Sequence, residues 1–195
     1  EIFVSDTGLI SIAGGKLTGY RKMAERVVDR IAKKMEEEYD TELKECYTEK
    51  IFLCGNVDFK KFKHVKKYIS EVYNNIKNEG FSKHDAWFLV TNYGKQTEKI
   101  LELYATIVEA DPYVRLAKAE VAFGIDFEMV QTPMDFFIRR TGRLYFDIES
   151  IRTLMEPILK EFQNKFGVSN DIVQGWRTTL EEELKEHSDF SLERG

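Results

Sequence analysis

The residues best placed to do chemistry are Gly14-Gly15-Lys16, which follow a short apolar run and precede an amphipathic stretch. Paired glycines let the backbone approach a ligand closely, and a helix that begins just after them directs N–H groups at an electron-rich group. Lys16 adds a full positive charge there. The spacing excludes an ATP-type phosphate loop, which would need a glycine at position 10 and a hydroxyl residue at position 17, where the chain has Ile10 and Leu17. Spacing alone leaves both a ligand-binding lysine and a solvated turn lysine open.

The glycine-lysine segment lies between a predicted hairpin and a predicted helix, which must therefore position it. Two short apolar runs, 2–4 and 9–12, flank residues 5–8, whose composition predicts a tight turn. The apolar residues that follow recur at helical spacing and predict a helix over 18–39, with Thr18 as its N-cap. Because both edges of such a hairpin lack a partner strand, we expect it to be unordered or to pair with a neighbouring molecule.

A group of basic residues lies on the polar side of a second predicted helix, over residues 58–78. Its members are Lys60, Lys61, Lys63, Lys66 and Lys67. A basic amphipathic helix can lie on an anionic membrane surface, whereas lysines of this kind more often form a solvated face. The sequence favours the solvated face and keeps the membrane surface as an alternative.

A second group of basic residues, Arg139, Arg140 and Arg143, suggests an anion site for a group such as phosphate. Arginines in this arrangement also pair with acids at a helix end or at a domain contact. We favour the structural role.

Composition excludes several classes of protein. The net charge of −5 provides no basic field for nucleic acid, and no apolar run approaches the length of a membrane span. Cys46 and Cys54 have no CxxC spacing and no nearby histidine, which predicts reduced thiols in the cytoplasm. The three histidines fall in separate segments, so no metal site is predicted.

The remainder of the chain has the pattern of a helical domain. Asp58 is a candidate cap for the 58–78 helix, and Ser82 with Asp85 forms a capping box for the next one. Asp111-Pro112 and Thr132-Pro133 with Asp135 are further helix starts, and Asn92-Tyr93-Gly94 interrupts a helix. The last two predicted elements are long helices over about 149–166 and 170–187. The fold class is therefore mainly α: a helical C-terminal domain preceded by a β-hairpin and a helix.

We divide the chain into a strand-loop-helix segment over 1–39, an acidic linker over 40–57 and the helical domain over 58–195. The first residue is Glu1 rather than methionine, which suits a piece of a longer protein.

Three segments in order carry a resemblance to a known family. Gly-Gly-Lys-Leu-Thr-x-Tyr-Arg-Lys-x-Ala-Glu over 14–25, Asn92-Tyr93-Gly94 and the run 134–144 closely resemble segments of the FAD-dependent glycerol-3-phosphate dehydrogenases and the related α-glycerophosphate oxidases. Ala119-Glu120-Val121 and Glu128-Met129 lie where that family has an Ala-Glu and a Glu-Met. The resemblance covers most of the chain and identifies it with the C-terminal part of such a flavoenzyme, residues 1–39 being the end of the FAD-binding domain.

For the whole enzyme, the resemblance implies oxidation of sn-glycerol 3-phosphate to dihydroxyacetone phosphate, with electrons passing through FAD to quinone or oxygen. It implies that the flavin is contacted by Gly14, Gly15, Lys16, Leu17 and Thr18. Lys16 is then the catalytic candidate, since a cation beside the flavin stabilises negative charge as it develops there. A contact between Lys16 and the substrate phosphate stays open.

Two features of such a flavoenzyme are missing from this sequence. No GxGxxG follows a strand, and the family's other substrate-binding residues would lie upstream of residue 1. We therefore expect the 195-residue chain alone to be inactive and free of FAD. The alternatives are a helical docking domain without catalytic activity, and a sugar- or amino-acid-oxidising relative with the same flavin fold. The predicted location is the cytoplasm, and the partners kept open are an anionic membrane face and a second copy of the chain.

Overall fold

The computed structural model describes residues 1–56 and 59–188, and 74% of it is helical. The chain divides into two units, one comprising Glu1–Leu53 and the other beginning at Cys54. Only one small sheet, of two strands, occurs in the described residues. The mainly α fold class is confirmed.

The first unit contains the hairpin and one long helix. Strands β1 (Ile2–Val4) and β2 (Ile10–Ile12) are antiparallel, with Ile2 opposite Ile12. The hairpin predicted from the turn residues is thus formed. Its expected disorder, or its pairing with a neighbouring molecule, in solution stays a prediction. Helix α1 spans Tyr20–Tyr39 and ends at Asp40, which adopts a left-handed conformation with φ of 50°. No residue of Glu1–Leu53 is buried.

The predicted N-cap of α1 is incorrect. A 3-10 helix over Leu17–Gly19 precedes α1, so Gly19 takes the N-cap position and no side chain caps the helix. The Gly19 N–H bonds instead to the carbonyl of Lys16. Thr18 therefore lies inside the tight turn, because that turn begins two residues earlier than helical periodicity alone indicates.

The second unit consists of helices joined by short turns. These helices are α2 (Phe62–Ile76), α3 (Lys83–Tyr93), α4 (Thr97–Thr106), α5 (Pro112–Glu128), a π-helix (Asp135–Arg140), α6 (Arg143–Phe146), α7 (Ile148–Phe166) and α8 (Asn170–Ser188). The two long helices predicted at the end of the chain correspond to α7 and α8 within one residue at each end. The π-helix was not predicted.

Local capping residues explain where several of these helices begin. Ser82 and Asp85 form the predicted capping box at α3, each side chain bonding to the other residue's backbone N–H. At α5, the Asp111 carboxylate accepts from two backbone N–H groups and Pro112 occupies the first turn. Thr132 and Asp135 exchange the same pair of bonds. The predicted cap Asp58 lies outside the described residues.

The interruption at Asn92-Tyr93-Gly94 has a steric cause. Gly94 has φ of 55° and ψ of −131°, a conformation that residues with a Cβ do not adopt readily. A Cβ on Gly94 would also clash with the carbonyl oxygen of Gly55. Two backbone segments therefore touch here, and glycine is required on the α3 side of the contact.

Two hydrophobic clusters form the interior of the second unit. One is built on α2, α3, α4 and one side of α5, with Leu89 and Ile100 fully buried. The other is built on the opposite side of α5 and on α7 and α8, with Ile151 and Phe162 fully buried. Helix α5 contributes to both clusters, so it is the central helix of the domain.

Neither a membrane-spanning helix nor a metal-binding group of His, Cys, Asp or Glu occurs within 1–56 and 59–188. Cys46 and Cys54 are both free and exposed.

Candidate functional site

The glycine pair forms an open turn directly after β2. Gly14 and Gly15 have φ values of 92° and 91°, which glycine adopts without the steric cost of a Cβ. A Cβ on Gly15 would lie 2.7 Å from the Met23 sulfur, whereas a Cβ on Gly14 would meet nothing within 4 Å. The turn therefore packs against α1 on one side and leaves its other side accessible.

A shallow pocket of about 480 Å³ lies beside this turn. Its lining is apolar except for Lys16 and the backbone of the turn. It is formed by Ile12, Gly14, Gly15, Lys16, Leu17, Tyr20, Met23, Ala24, Val27 and Val28. Four of the five predicted site residues line it, and Thr18 does not.

Hydrogen-bond donors accompany the apolar surface. The first N–H groups of a helix have no acceptor within the helix, and here no side chain caps those of Leu17 and Thr18, whereas the Gly19 N–H bonds to the Lys16 carbonyl. Lys16 is exposed, and its neighbour Leu17 is 89% exposed, a high value for an apolar side chain. This arrangement can hold a flat, partly apolar group that carries negative charge at one edge, which helix N-termini and lysines both favour.

The arginine group does not form an anion site, because its members point to separate partners. Arg139 pairs with Asp135, and Arg140 donates to the Glu128 carbonyl at 2.6 Å. Arg143 is buried and donates to Glu120 at 2.7 Å. All three therefore have structural partners within the domain, as favoured from the sequence.

The buried contact of Arg143 is part of a network that the sequence interpretation missed. The Tyr93 hydroxyl donates to the other Glu120 carboxylate oxygen at 2.9 Å. Burial raises the pKa of Tyr93, and the negative charge of Glu120 raises it further, so its proton stays on the oxygen. The available signal was Glu120 itself, a charged residue among the apolar residues Ala119, Val121 and Phe123 in the middle of a helix.

The lysine group lies on the surface at the start of α2. Because α2 begins at Phe62, Lys60 and Lys61 precede the helix, while Lys63, Lys66 and Lys67 lie on it. All five are exposed. The Lys66 ammonium lies 5.0 Å from the Phe62 ring centre, and Phe62 is itself 71% exposed. An exposed aromatic ring therefore accompanies this basic surface.

Comparison with known proteins assigns the chain to a family. The family model of the C-terminal domain of alpha-glycerophosphate oxidase matches residues 46–172, which is more than half of the chain. The chain belongs to this family of flavoenzyme C-terminal domains.

Individual relatives extend the similarity to the first unit. An aerobic glycerol-3-phosphate dehydrogenase of Bacillus subtilis is 37% identical over 177 residues, covering 85% of this chain and 30% of the relative. One from Staphylococcus saprophyticus is 31% identical over 171 residues, covering 87% and 30%. The X-ray structure of the glycerol-3-phosphate dehydrogenase from Bacillus halodurans complexed with FAD aligns with a TM-score of 0.80 and 36% identity, covering 95% of this chain and 37% of that one. The chain thus spans about a third of the length of these relatives, and the resemblance predicted from the motifs is confirmed.

Proposed function

We propose that this chain is the C-terminal part of an FAD-dependent enzyme that oxidises sn-glycerol 3-phosphate to dihydroxyacetone phosphate. Electrons would leave through FAD to quinone or oxygen. The observation that carries this proposal is the Gly14-Gly15-Lys16 turn and its pocket, in a chain whose relatives are named aerobic glycerol-3-phosphate dehydrogenases. The similar structure from Bacillus halodurans is complexed with FAD.

The residues of the turn fit one edge of a flavin. An added Cβ on Gly14 would meet nothing, so the backbone there can be approached closely. The N–H groups of Leu17 and Thr18, which no side chain caps, offer donors. Ile12, Leu17 and Tyr20 offer apolar surface beside them. When bound, FAD supplies the hydride acceptor for oxidation of the alcohol. The residues that would hold it are Gly14, Gly15, Lys16 and Leu17, with Thr18 contributing through its backbone.

Lys16 would stabilise negative charge at this edge. A cation that interacts mainly with charge developing during the reaction lowers the barrier rather than tightening binding of the ground state. Its exposure leaves the ammonium free to reach either the flavin or the substrate phosphate. We assign it to the flavin because the backbone donors of the same turn lie beside it.

The domain assignment follows from the same proposal. Residues 1–39 would complete the FAD-binding domain, 40–57 would link it to the helical domain, and 58–195 would form that domain. Most flavin dinucleotide contacts come from a Rossmann-type fold with a GxGxxG turn, which this sequence does not contain. The 195-residue chain alone is therefore expected to purify without visible flavin absorbance and to be inactive. In isolation it would act at most as a helical docking domain.

The proposal also includes binding to a membrane surface and self-association of the chain. The exposed lysines around Phe62 combine charge attraction to anionic lipid with an aromatic side chain that inserts at the headgroup level. We propose peripheral binding of this surface to the cytoplasmic face of a membrane, where a quinone acceptor would be available. A second copy of the chain is the other partner we propose to test, by measuring the molar mass in solution.

The test uses a protein in which this chain is joined to the FAD-binding domain that the proposal places before it. Glycerol 3-phosphate should reduce an artificial acceptor in its presence, and Lys16→Ala should lower kcat on the order of a hundredfold, or about 2.7 kcal/mol in barrier. The flavin should also become harder to reduce. Lys33→Ala is the matched control, because Lys33 is an exposed lysine of α1 that pairs with Glu37.

Two outcomes would contradict the proposal at different levels. Wild-type turnover and flavin potential in Lys16→Ala would make the lysine a solvated turn residue and remove it from the site. Activity with a sugar or an amino acid, and none with glycerol 3-phosphate, would instead reject the substrate assignment while leaving the flavin site in place.

A further inference from the structure

A larger cleft lies within the second unit, away from the glycine turn. Its volume is about 900 Å³, in the range of small-molecule sites. It is bounded by α3, the first turn of α5, α6 and the first turns of α7. The cleft lies where the two hydrophobic clusters meet, because Leu116 of one cluster and Leu154 of the other both line it.

Four aromatic side chains form much of its wall: Trp87, Phe88, Tyr113 and Phe146. Three of them are unusually accessible, with exposed fractions of 48% for Trp87, 49% for Tyr113 and 87% for Phe146. The ring of Phe88 already faces a cation, since the Arg143 guanidinium lies 5.1 Å from its centre. Aromatic faces attract positive charge through their quadrupoles, so this wall suits a cationic ligand.

Four carboxylates line the same cleft: Asp85, Asp111, Asp147 and Glu149. Asp85 and Asp111 cap helices through one oxygen each, and the second oxygen of each has no donor among residues 1–56 and 59–188. Asp147 lies 3.7 Å from Arg143, and Glu149 lies 3.4 Å from Arg152. Each of the four carboxylates therefore keeps one oxygen without a donor among the described residues.

The positively charged side chains that line the cleft do not outweigh its carboxylates. Arg143 is matched by Glu120 at 2.7 Å, so its charge is neutralised on the buried side. His84 stacks on Trp87 with ring centres 5.3 Å apart and adds at most one charge. An anion such as a phosphate would face Asp85 and Asp111, which form no ion pair within the described residues, in addition to Asp147 and Glu149, which pair with Arg143 and Arg152. The cleft therefore favours positive charge.

We propose that this cleft binds an organic cation with an apolar body, of the alkyl- or aryl-ammonium class. The aromatic wall would bury the apolar part, and the carboxylates would face the positive charge. The aromatic faces and the free carboxylate oxygens would both attract the positive charge of such a ligand. This inference is independent of the flavin proposal, because every residue that carries it belongs to the second unit.

The experiment uses the 195-residue chain, labelled for observation of tryptophan indole N–H signals by NMR. The chain has two tryptophans, and Trp176 packs against a hydrophobic cluster outside the cleft, so it serves as an internal control. The probes are benzyltrimethylammonium, choline and the uncharged isostere of choline, 3,3-dimethyl-1-butanol. Saturable shifts of the Trp87 signal by both cations are expected, with choline binding at least about tenfold more tightly than its isostere.

Variants separate the two parts of the site. Trp87→Ala should weaken benzyltrimethylammonium binding about tenfold or more, read from backbone signals of α3. Glu149→Gln should weaken it about threefold, while Glu182→Gln on α8 makes the same charge change outside the cleft and should have no effect. Raising the salt concentration should weaken the wild type more than Glu149→Gln.

Several results would overturn the proposal. Equal affinity for choline and its isostere would mean that the cleft selects shape and not charge. Tighter binding of benzoate than of benzyltrimethylammonium would reverse the assigned sign. Shifts at Trp176 without shifts at Trp87, or no saturable binding of either cation, would reject the site. Circular dichroism of each variant distinguishes loss of binding from loss of folding.

Discussion

Both units carry apolar residues at helical spacing, yet only the second unit buries them. Helix α1 has apolar residues at helical spacing, and still no residue of Glu1–Leu53 is buried. From Cys54 onward, similar patterns on α2 to α8 build two hydrophobic clusters. An apolar face favours a helix and sets which of its sides can pack, but burial requires a second surface large enough to cover that side. The first unit does not contain that surface.

The largest effect is expected from breaking the buried ion pair between Arg143 and Glu120, which lies between the two hydrophobic clusters of the second unit. Arg143→Ala leaves the fully buried Glu120 carboxylate without its cation, which typically costs about 3–5 kcal/mol of unfolding free energy. Chemical denaturation of the 195-residue chain measures this. Adding Glu120→Gln should recover part of the loss, because the buried charge is then removed. Equal stability of the single variant and the wild type would mean that the network contributes nothing.

The next effect compares the same substitution in the two units. Ile151 is fully buried in the second unit, whereas Ile31 of α1 is 39% exposed. Ile151→Ala should cost about 2–5 kcal/mol through lost burial and a cavity, and Ile31→Ala should cost less than about 0.5 kcal/mol. Both are measured by denaturation of the same chain. Similar losses would show that α1 is packed in solution and would remove the contrast between the units.

A third comparison uses two glycines of the second unit. Gly94→Ala should destabilise by about 2 kcal/mol or more, because the new Cβ would meet the Gly55 carbonyl and the backbone has positive φ. Gly175 lies in α8, where an added Cβ would meet nothing within 4 Å, so Gly175→Ala should stabilise by up to about 1 kcal/mol. Melting temperatures should move in opposite directions. Movement in the same direction would contradict the steric explanation.

The smallest effect concerns pH. Burial raises the pKa of Glu128, with Arg140 opposing the shift, so ionisation of this group works against folding. The penalty is absent below the unfolded pKa, where Glu128 is protonated in both states, and it grows as pH rises through the folded pKa. Glu128→Gln should therefore raise the melting temperature slightly at neutral pH and leave it unchanged near about pH 4. A gain that is equal at both pH values would point to packing instead of charge.

The sequence could predict those features that depend on interactions between residues close together in the chain. Ser82 with Asp85, and Asp111 with Pro112, set helix starts through neighbours within three residues, and both starts are found. The contact of Arg143 with Glu120 joins residues 23 positions apart, and no local pattern specifies such a pair. Thr18 failed as a cap because a 3-10 turn and an α-helix differ by one residue in their hydrogen bonds, which periodicity does not resolve.

The two candidate sites, the glycine turn and the cleft, also differ in how far local sequence can predict them. Gly14 to Leu17 are contiguous, so one motif names them together, and they line one pocket, while their contact with a flavin stays a prediction. The cleft of the second unit draws its lining from four separate helices, including Trp87 and Phe146, which lie far apart in sequence. Only the packing of α3 against the later helices brings such residues together.

The exposed hairpin has a consequence for the fate of this chain in a cell. Phe3 and Val4 are 51% and 46% exposed on a two-stranded ribbon whose outer edges offer free backbone donors and acceptors. Such an edge recruits further strands, so chains synthesised without a covering partner would aggregate or be captured by chaperones and degraded. Cellular abundance of the chain would then report whether the hairpin is covered, independently of any enzyme assay.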